Sequence, residues 1–262
     1  MKAVGVIVEY NPFHNGHLYH LQEARKQAKA DVVIAIMSGN FLQRGEPAII
    51  DKWSRTELAL EGGADLVVEL PVAFSVQPAD YFARGGIGLL KQLRCEAICF
   101  GTETGTAKEY EEFAKQWLKN EDKLDNAFKR YKNDGSSYAA QMERISIEAG
   151  LNLPLHNSYP NMILGKAYAK ENYRFYPPME LIPIKRKGSC YHEKDLNTNE
   201  FSSATSIRNI LLKTNNVKNA ESALPAFAVK KLKKAVLVDW EQFWPLLRYQ
   251  IIVQPPDKLR EI

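Results

Sequence analysis

Two histidines flank an asparagine and a glycine in His14-Asn15-Gly16-His17, a few residues past the apolar run Ala3 to Val8. With 5 His and 15 Gly in 262 residues, a His-x-Gly-His match is expected by chance roughly 0.005 times, so the spacing is informative. Imidazoles beside the free amides of a helix start can hydrogen-bond the oxygens of a triphosphate. Those bonds strengthen as negative charge moves onto departing pyrophosphate, which stabilises the transition state more than the bound substrate. Helix N-terminal amides favour a phosphate, and Gly16 lets the backbone approach it closely. The alternative is that both histidines are surface residues on a loop and a first helical turn.

A second cluster, Phe201-Ser202-Ser203-Ala204-Thr205-Ser206-Ile207-Arg208, opens another helix. Its hydroxyls can cap that helix. With the free amides they can also bind β- and γ-phosphates, and Arg208, one turn in, neutralises charge. Together the two segments make a two-sided triphosphate clamp. Between them lies a polar stretch with Ser38, Asn40, Gln43, Arg44, Asp51 and Lys52. Amide donors or a cation there can hold an anionic group beside the phosphates, although Asp51 reads equally well as a helix cap and Lys52 as a solvated side chain.

These residues must be held by an α/β framework. Val/Ile-rich runs at 3–9, 32–37, 65–70 and 96–100 are nearly continuous in apolar residues, as strands buried on both faces are. Helical periodicity fills 16–29, 52–62 and 78–93, with Asp51 and Gln77-Pro78 as helix starts. Repeated β-α-β units predict a doubly wound parallel sheet with right-handed crossovers, and the His-x-Gly-His turn falls where such sheets bind nucleotides. Residues 106–150 read as charged helices broken at Asn133-Asp134-Gly135-Ser136, a further strand is predicted at 180–185, and a helix at 201–212. Two domains are expected: 1–212 as the nucleotide-binding domain that carries both motifs, and 213–262 as a basic, aromatic-bearing helical region.

Hydrophobic residues make up 45% of the chain and charged residues 25%, which excludes a disordered chain. No apolar run approaches the roughly 20 residues that cross a bilayer. No room precedes the first strand for a leader segment, so a cytoplasmic location is expected and no membrane association. Cys95, Cys99 and Cys190 are an odd number without His or Cys partners at zinc spacing, and read as inert core thiols. The net charge of +4 resides entirely in residues 211–262, which carry nine Lys or Arg against five Asp or Glu. The run Lys230-Lys231-Leu232-Lys233-Lys234 can track a phosphate backbone or form a solvated helix face.

The two motifs resemble the nucleotidylyltransferase superfamily, with its His-x-Gly-His turn and its Ser/Thr-rich turn ending in Ile-Arg. More closely, the chain resembles the bacterial tRNA(Met) cytidine acetate ligase family. The resemblance runs through Gly5 to His20, Ser38 to Ala48, Gly63 to Pro71, Asn161 to Gly165, Lys185-Arg186-Lys187-Gly188 with Tyr191-His192, and Ser203 to Arg208. It implies a Rossmann-like fold that activates acetate with ATP to acetyl-adenylate and acetylates N4 of the wobble cytidine of elongator tRNA(Met). It implies His14, His17 and Arg208 as catalytic residues. ATP would lie on Ile7, Val8, Glu9, Tyr10, Asn11, Pro12, Phe13, His14, Asn15, Gly16, His17, Leu18, Tyr19 and His20, with Gly101, Asn161 and Arg186, and the hydroxyl cluster read above adds Ser203, Thr205 and Ser206.

Some of these have local physical reasons. Gly101 ends a strand and leaves room for a nucleoside, Arg186 can meet phosphate bidentately, and Asn161 either caps a helix or presents its amide, the cap being the better local reading. Mg2+ accompanies ATP and would be held by phosphates and water. Members of the family continue past this length with further helices, so 213–262 is expected to be the start of a truncated tRNA-docking segment. Two other functions fit the motifs: a cofactor-pathway adenylyltransferase acting on a phosphorylated small molecule, and a non-catalytic nucleotide- or RNA-binding module.

Overall fold

The computed structural model describes residues 1–131, 138–148, 154–155, 159–186 and 202–260. The expected break at Asn133 to Ser136, Cys190, Lys187-Gly188, Tyr191-His192 and Phe201 lie outside the described residues. In chain order the elements are β1 (Ala3–Val8), α1 (Asn15–Ala28), β2 (Val32–Ser38), α2 (Lys52–Glu61), β3 (Leu66–Leu70), α3 (Val72–Ser75), α4 (Ala79–Gln92), β4 (Ala97–Thr102), α5 (Ala107–Lys119), α6 (Glu121–Tyr131), α7 (Tyr138–Glu148), α8 (Pro160–Asn172), β5 (Glu180–Lys185) and α9 (Ala204–Thr214). A 3-10 turn at Val217–Ala223 leads to α10 (Ala226–Leu232), α11 (Trp240–Val253) and α12 (Pro256–Arg260).

The five strands form one sheet in the order β3-β2-β1-β4-β5, every pair parallel. This is the doubly wound architecture the alternating pattern predicts. Two apolar clusters cover its faces because strand side chains alternate. Val4, Val6 and Val8 point into the cluster that also takes Leu21 of α1, Leu58 of α2 and Ile207 of α9. Ile34, Ile36, Ile98 and Phe100 point into the other, with Ile87 of α4, Tyr110 of α5 and Met162 of α8.

Pairing between β1 and β2 continues to Val8↔Met37, and between β4 and β5 to Thr102↔Lys185. Between the central strands β1 and β4 it stops at Gly5↔Ile98. The order of connection reverses at this pair, so the chains leaving β1 and β4 diverge and a crevice opens at the carboxyl edge.

Some expectations shift. The helical stretch after 106 breaks also at Asn120, and the short α3 after Pro71 has no counterpart in the sequence pattern. The core runs past the expected border at 212/213: Val217, Ala220, Leu224, Val229 and Leu232 are buried in the same cluster as β1 and α1. By contrast, α11 and α12 bury none of their residues. No helix among the described residues is long and apolar enough to cross a membrane.

Candidate active site

The crevice is a cavity of about 500 Å³, lined by the ends of β1, β4 and β5, the starts of α1, α8 and α9, and the loop after β2. That volume suits a nucleotide-sized ligand. Of the residues predicted for ATP, Ile7 to Asn11, His14, Gly16, His17, Tyr19, His20, Gly101, Asn161, Arg186, Ser203 and Thr205 line it, together with Arg208. Pro12, Phe13, Asn15, Leu18 and Ser206 are not among its lining residues. Phe13 is fully buried against Tyr10 and Phe227. Leu18 packs on the core beside it, Asn15 donates to the Ser222 carbonyl, and Ser206 is buried behind Ser203.

His14 is the N-cap of α1, and its Nδ1 accepts the Gly16 backbone N–H at 3.0 Å. This changes the role expected of the helix amides, because the Gly16 amide serves the imidazole. It also fixes the tautomer: with Nδ1 accepting, the neutral ring carries its proton on Nε2. Gly16 itself is required by this cap, since a Cβ there would stand 2.7 Å from His14 Cε1.

The rings of His14 and His17 stack with centroids 3.7 Å apart. Burial, with the nearby positive charge of Arg186, lowers His14 to a pKa of about 3 and His20 to about 4. Burial, His14 and Arg186 together hold His17 well below the ordinary imidazole range. At neutral pH all three are uncharged, so His14 presents an N–H dipole at Nε2 rather than a positive charge. Cys99 and Cys95 are buried thiols with pKa values raised by burial, as core cysteines should be, and Cys99 Sγ lies 3.4 Å from His20 Nε2.

Ser203 caps α9 through its Oγ, which accepts the Ser206 N–H at 3.2 Å, so capping and lining coincide in one residue. Arg208 Nη1 donates to the Asn11 carbonyl at 2.9 Å, and Nη2 reaches Glu46 Oε1 at 3.3 Å. A Cβ on Gly101 would meet only Arg186 Cγ, at an ordinary 3.6 Å, so no close packing accounts for this glycine and the space in front of it belongs to the cavity.

The capping expected of Asn161 is not observed. The N-cap of α8 is Tyr159, and the Glu103 carboxylate takes over: its Oε2 accepts the Met162 N–H at 3.1 Å and its Oε1 accepts Asn161 Nδ2 at 2.6 Å. Asn161 is thus held at the cavity wall by a residue the sequence did not single out.

The polar stretch after β2 divides. Gln43 and Arg44 line the cavity. Asp51 caps α2, Asn40 Oδ1 accepts the Lys52 N–H, Lys52 pairs with Glu69 at 2.7 Å, and Ser38 is fully buried. Behind this wall is Arg55, 0% exposed, which donates to the carbonyls of Glu9 (2.7 Å), Ser38 (3.0 Å), Ile50 (3.2 Å) and Gly39. It ties the chain after β1 to the chain after β2. In sequence it looks like one more charged residue on an amphipathic helix, and no signal there could have found it.

A neutral imidazole pair at a helix start, a facing arginine and a crevice at the switch of a parallel sheet define a nucleotidyl transferase of the HIGH type. The model of the family described as HIGH Nucleotidyl Transferase matches residues 1–262. The tRNA(Met) cytidine acetate ligase of Halalkalibacterium halodurans is 45% identical over all of this chain and 64% of its own length, and that of Geobacillus sp. is 42% identical over all of this chain and 67% of its own. The crystal structure of Thermotoga maritima TmcAL bound with alpha-thio ATP is 36% identical, with a TM-score of 0.77 over 89% of this chain and 56% of that one. The chain therefore belongs to the HIGH nucleotidyl transferases, in the family of the tRNA(Met) cytidine acetate ligases. It spans about two thirds of the length of the curated relatives it matches.

Proposed function

We propose that the chain activates acetate with ATP to acetyl-adenylate, releasing pyrophosphate, and passes the acetyl group to N4 of the wobble cytidine of elongator tRNA(Met). The observation that carries the reading is the bond from Arg208 to the Asn11 carbonyl, which closes the two phosphate motifs, 197 residues apart, around one cavity. The names of the relatives support the acceptor, and the alpha-thio ATP in the Thermotoga maritima structure supports the nucleotide.

In this reading the β- and γ-phosphates lie between His14, His17, Ser203, Thr205 and Arg208, and the nucleoside lies toward Gly101, Asn161 and Arg186. Acetate, placed by Gln43 and Arg44, attacks the α-phosphorus; the bond to the bridging oxygen breaks and pyrophosphate leaves with its electron pair. His14 Nε2–H and the Arg208 guanidinium meet the charge that develops on the leaving group. No covalent enzyme intermediate is required. Mg2+ would travel with the phosphates; among the described residues no three His, Cys, Asp or Glu side chains form a dedicated cage. The region 213–262 starts the surface that engages tRNA, with 217–232 also part of the core.

The test is ATP–pyrophosphate exchange across a panel of carboxylates and phosphorylated acceptors, followed by transfer of labelled acetate to tRNA. Acetate is expected to support exchange. Exchange with pantetheine phosphate or nicotinamide mononucleotide but not with acetate would make the chain a cofactor-pathway adenylyltransferase. Exchange with none of the acceptors would leave a nucleotide-binding module.

A further inference from the structure

Transfer of an acyl group to an exocyclic amine needs an acceptor that orients the N–H and takes its proton. Among the described residues lining the cavity, only Glu9 and Glu46 carry a carboxylate. Their surroundings differ. The Glu46 side chain is 37% exposed and paired with Arg208, so it is committed to a cation. Glu9 stands just past the end of β1, where its Oε1 accepts the Gln43 N–H at 2.8 Å and its own carbonyl is gripped by Arg55 at 2.7 Å. Backbone and side chain are therefore both fixed, and Glu9 lines the cavity beside Gln43, which the proposed function assigns to acetate.

We propose that Glu9 receives the acceptor base: its carboxylate accepts the N4–H of the wobble cytosine and takes the proton during acyl transfer. This rests on the function proposed above. The amine nitrogen bonds to the acetyl carbon, the bond from that carbon to the phosphate oxygen breaks, AMP leaves with the electron pair, and the displaced proton passes to Glu9 and then to solvent. A carboxylate suits cytosine because N4–H2 is a donor; uracil presents an acceptor oxygen at the same position and is repelled.

Burial raises the Glu9 carboxyl above the ordinary carboxylate range, the Gln43 N–H opposes this, Glu46 adds to it, and Arg208 and Arg44 oppose it. Arg55 from α2 and Tyr168 from α8 also lie within its electrostatic reach. A raised carboxyl is better matched to proton transfer near neutral pH.

Glu9→Gln retains an oxygen for the Gln43 N–H, and the experiment compares two half-reactions in that variant. One is acetate-dependent pyrophosphate exchange; the other is single-turnover transfer from acetyl-adenylate to an anticodon stem-loop RNA bearing the wobble cytidine. Transfer is expected to fall about 100-fold or more beyond any fall in exchange. The wild-type transfer rate should rise with pH through an inflection that the variant lacks. Glu9→Asp, with the carboxylate set back by one methylene, should retain more transfer than Glu9→Gln. Exchange and transfer falling equally, transfer at the wild-type rate, or no advantage of Asp over Gln each overturns the assignment. A wild-type chain that lacks acetate-dependent exchange or transfers nothing overturns the parent reading and this one with it, and that result is visible before any variant is made.

Discussion

Arg208 and Asn11 are joined by a 2.9 Å hydrogen bond from guanidinium to backbone carbonyl, and the same guanidinium reaches Glu46 on the loop after β2. One side chain thus braces the turn after β1, the start of α9 and the cavity wall. In the proposed function its charge meets a phosphate with a geometry already set by the protein, which is the preorganisation that makes electrostatic catalysis effective.

Replacing His17 with Ala should separate chemistry from binding. Turnover in acetate-dependent exchange is expected to fall roughly 100-fold or more, with a much smaller change in ATP affinity, because the charge the imidazole meets develops mainly in the transition state. Equilibrium ATP binding measured beside the exchange rate decides it. Equal losses in both would make His17 a ground-state phosphate ligand.

Stability should fall as the solution is acidified. His14 and His20 have folded pKa values of about 3 and about 4, and His17 is held well below 6.5, all by burial first. Unfolded imidazoles protonate near 6.5, so below that pH the unfolded chain binds more protons and stability declines toward pH 4, by up to about 1.4 kcal/mol per pH unit for each group. Glu9, whose carboxyl is raised, acts with opposite sign, but it is one group against three. Urea midpoints that stay level between pH 7 and 5 would contradict the neutral, buried histidine cluster.

Arg55→Met leaves four carbonyls from two loops without their common donor. At about 1–3 kcal/mol per buried unsatisfied group, a loss of about 3 kcal/mol or more is expected. In a chain of this size that lowers the thermal midpoint by roughly 6 to 12 °C. Arg55→Lys should rescue little of it, since one ammonium cannot span the same carbonyls. Thermal melts of the two variants check both expectations.

The basic run is already divided by the fold. Lys231 is ion-paired with Glu57 of α2, whereas Lys230, Lys233 and Lys234 are exposed. Changing those three to Glu should weaken tRNA binding and reduce the slope of log affinity against log salt by about 0.7–0.9 for each phosphate no longer neutralised. A slope identical to that of the unaltered chain assigns the run to a solvated face.

Periodicity along the chain places the sheet, because strands inside it are apolar and the helices between them amphipathic, although β3, at the sheet edge, leaves Leu66 and Glu69 exposed rather than buried on both faces. All five strands and the helices that carry His14 and Arg208 lie where those patterns place them. The His14–His17 turn and the Ser203–Arg208 turn are legible for the same reason, since spacing at a helix start is a local property. What the sequence left undecided are relations between segments distant in the chain. Nothing local says that Glu103 rather than Asn161 caps α8. Nor does anything local mark Arg55 as buried among carbonyls while Lys52, on the same helix, pairs with Glu69 at its edge. A polar side chain becomes a cap, a brace or a ligand according to which groups the tertiary fold brings within about 3 Å of it, and a buried polar group must take whatever partner arrives there.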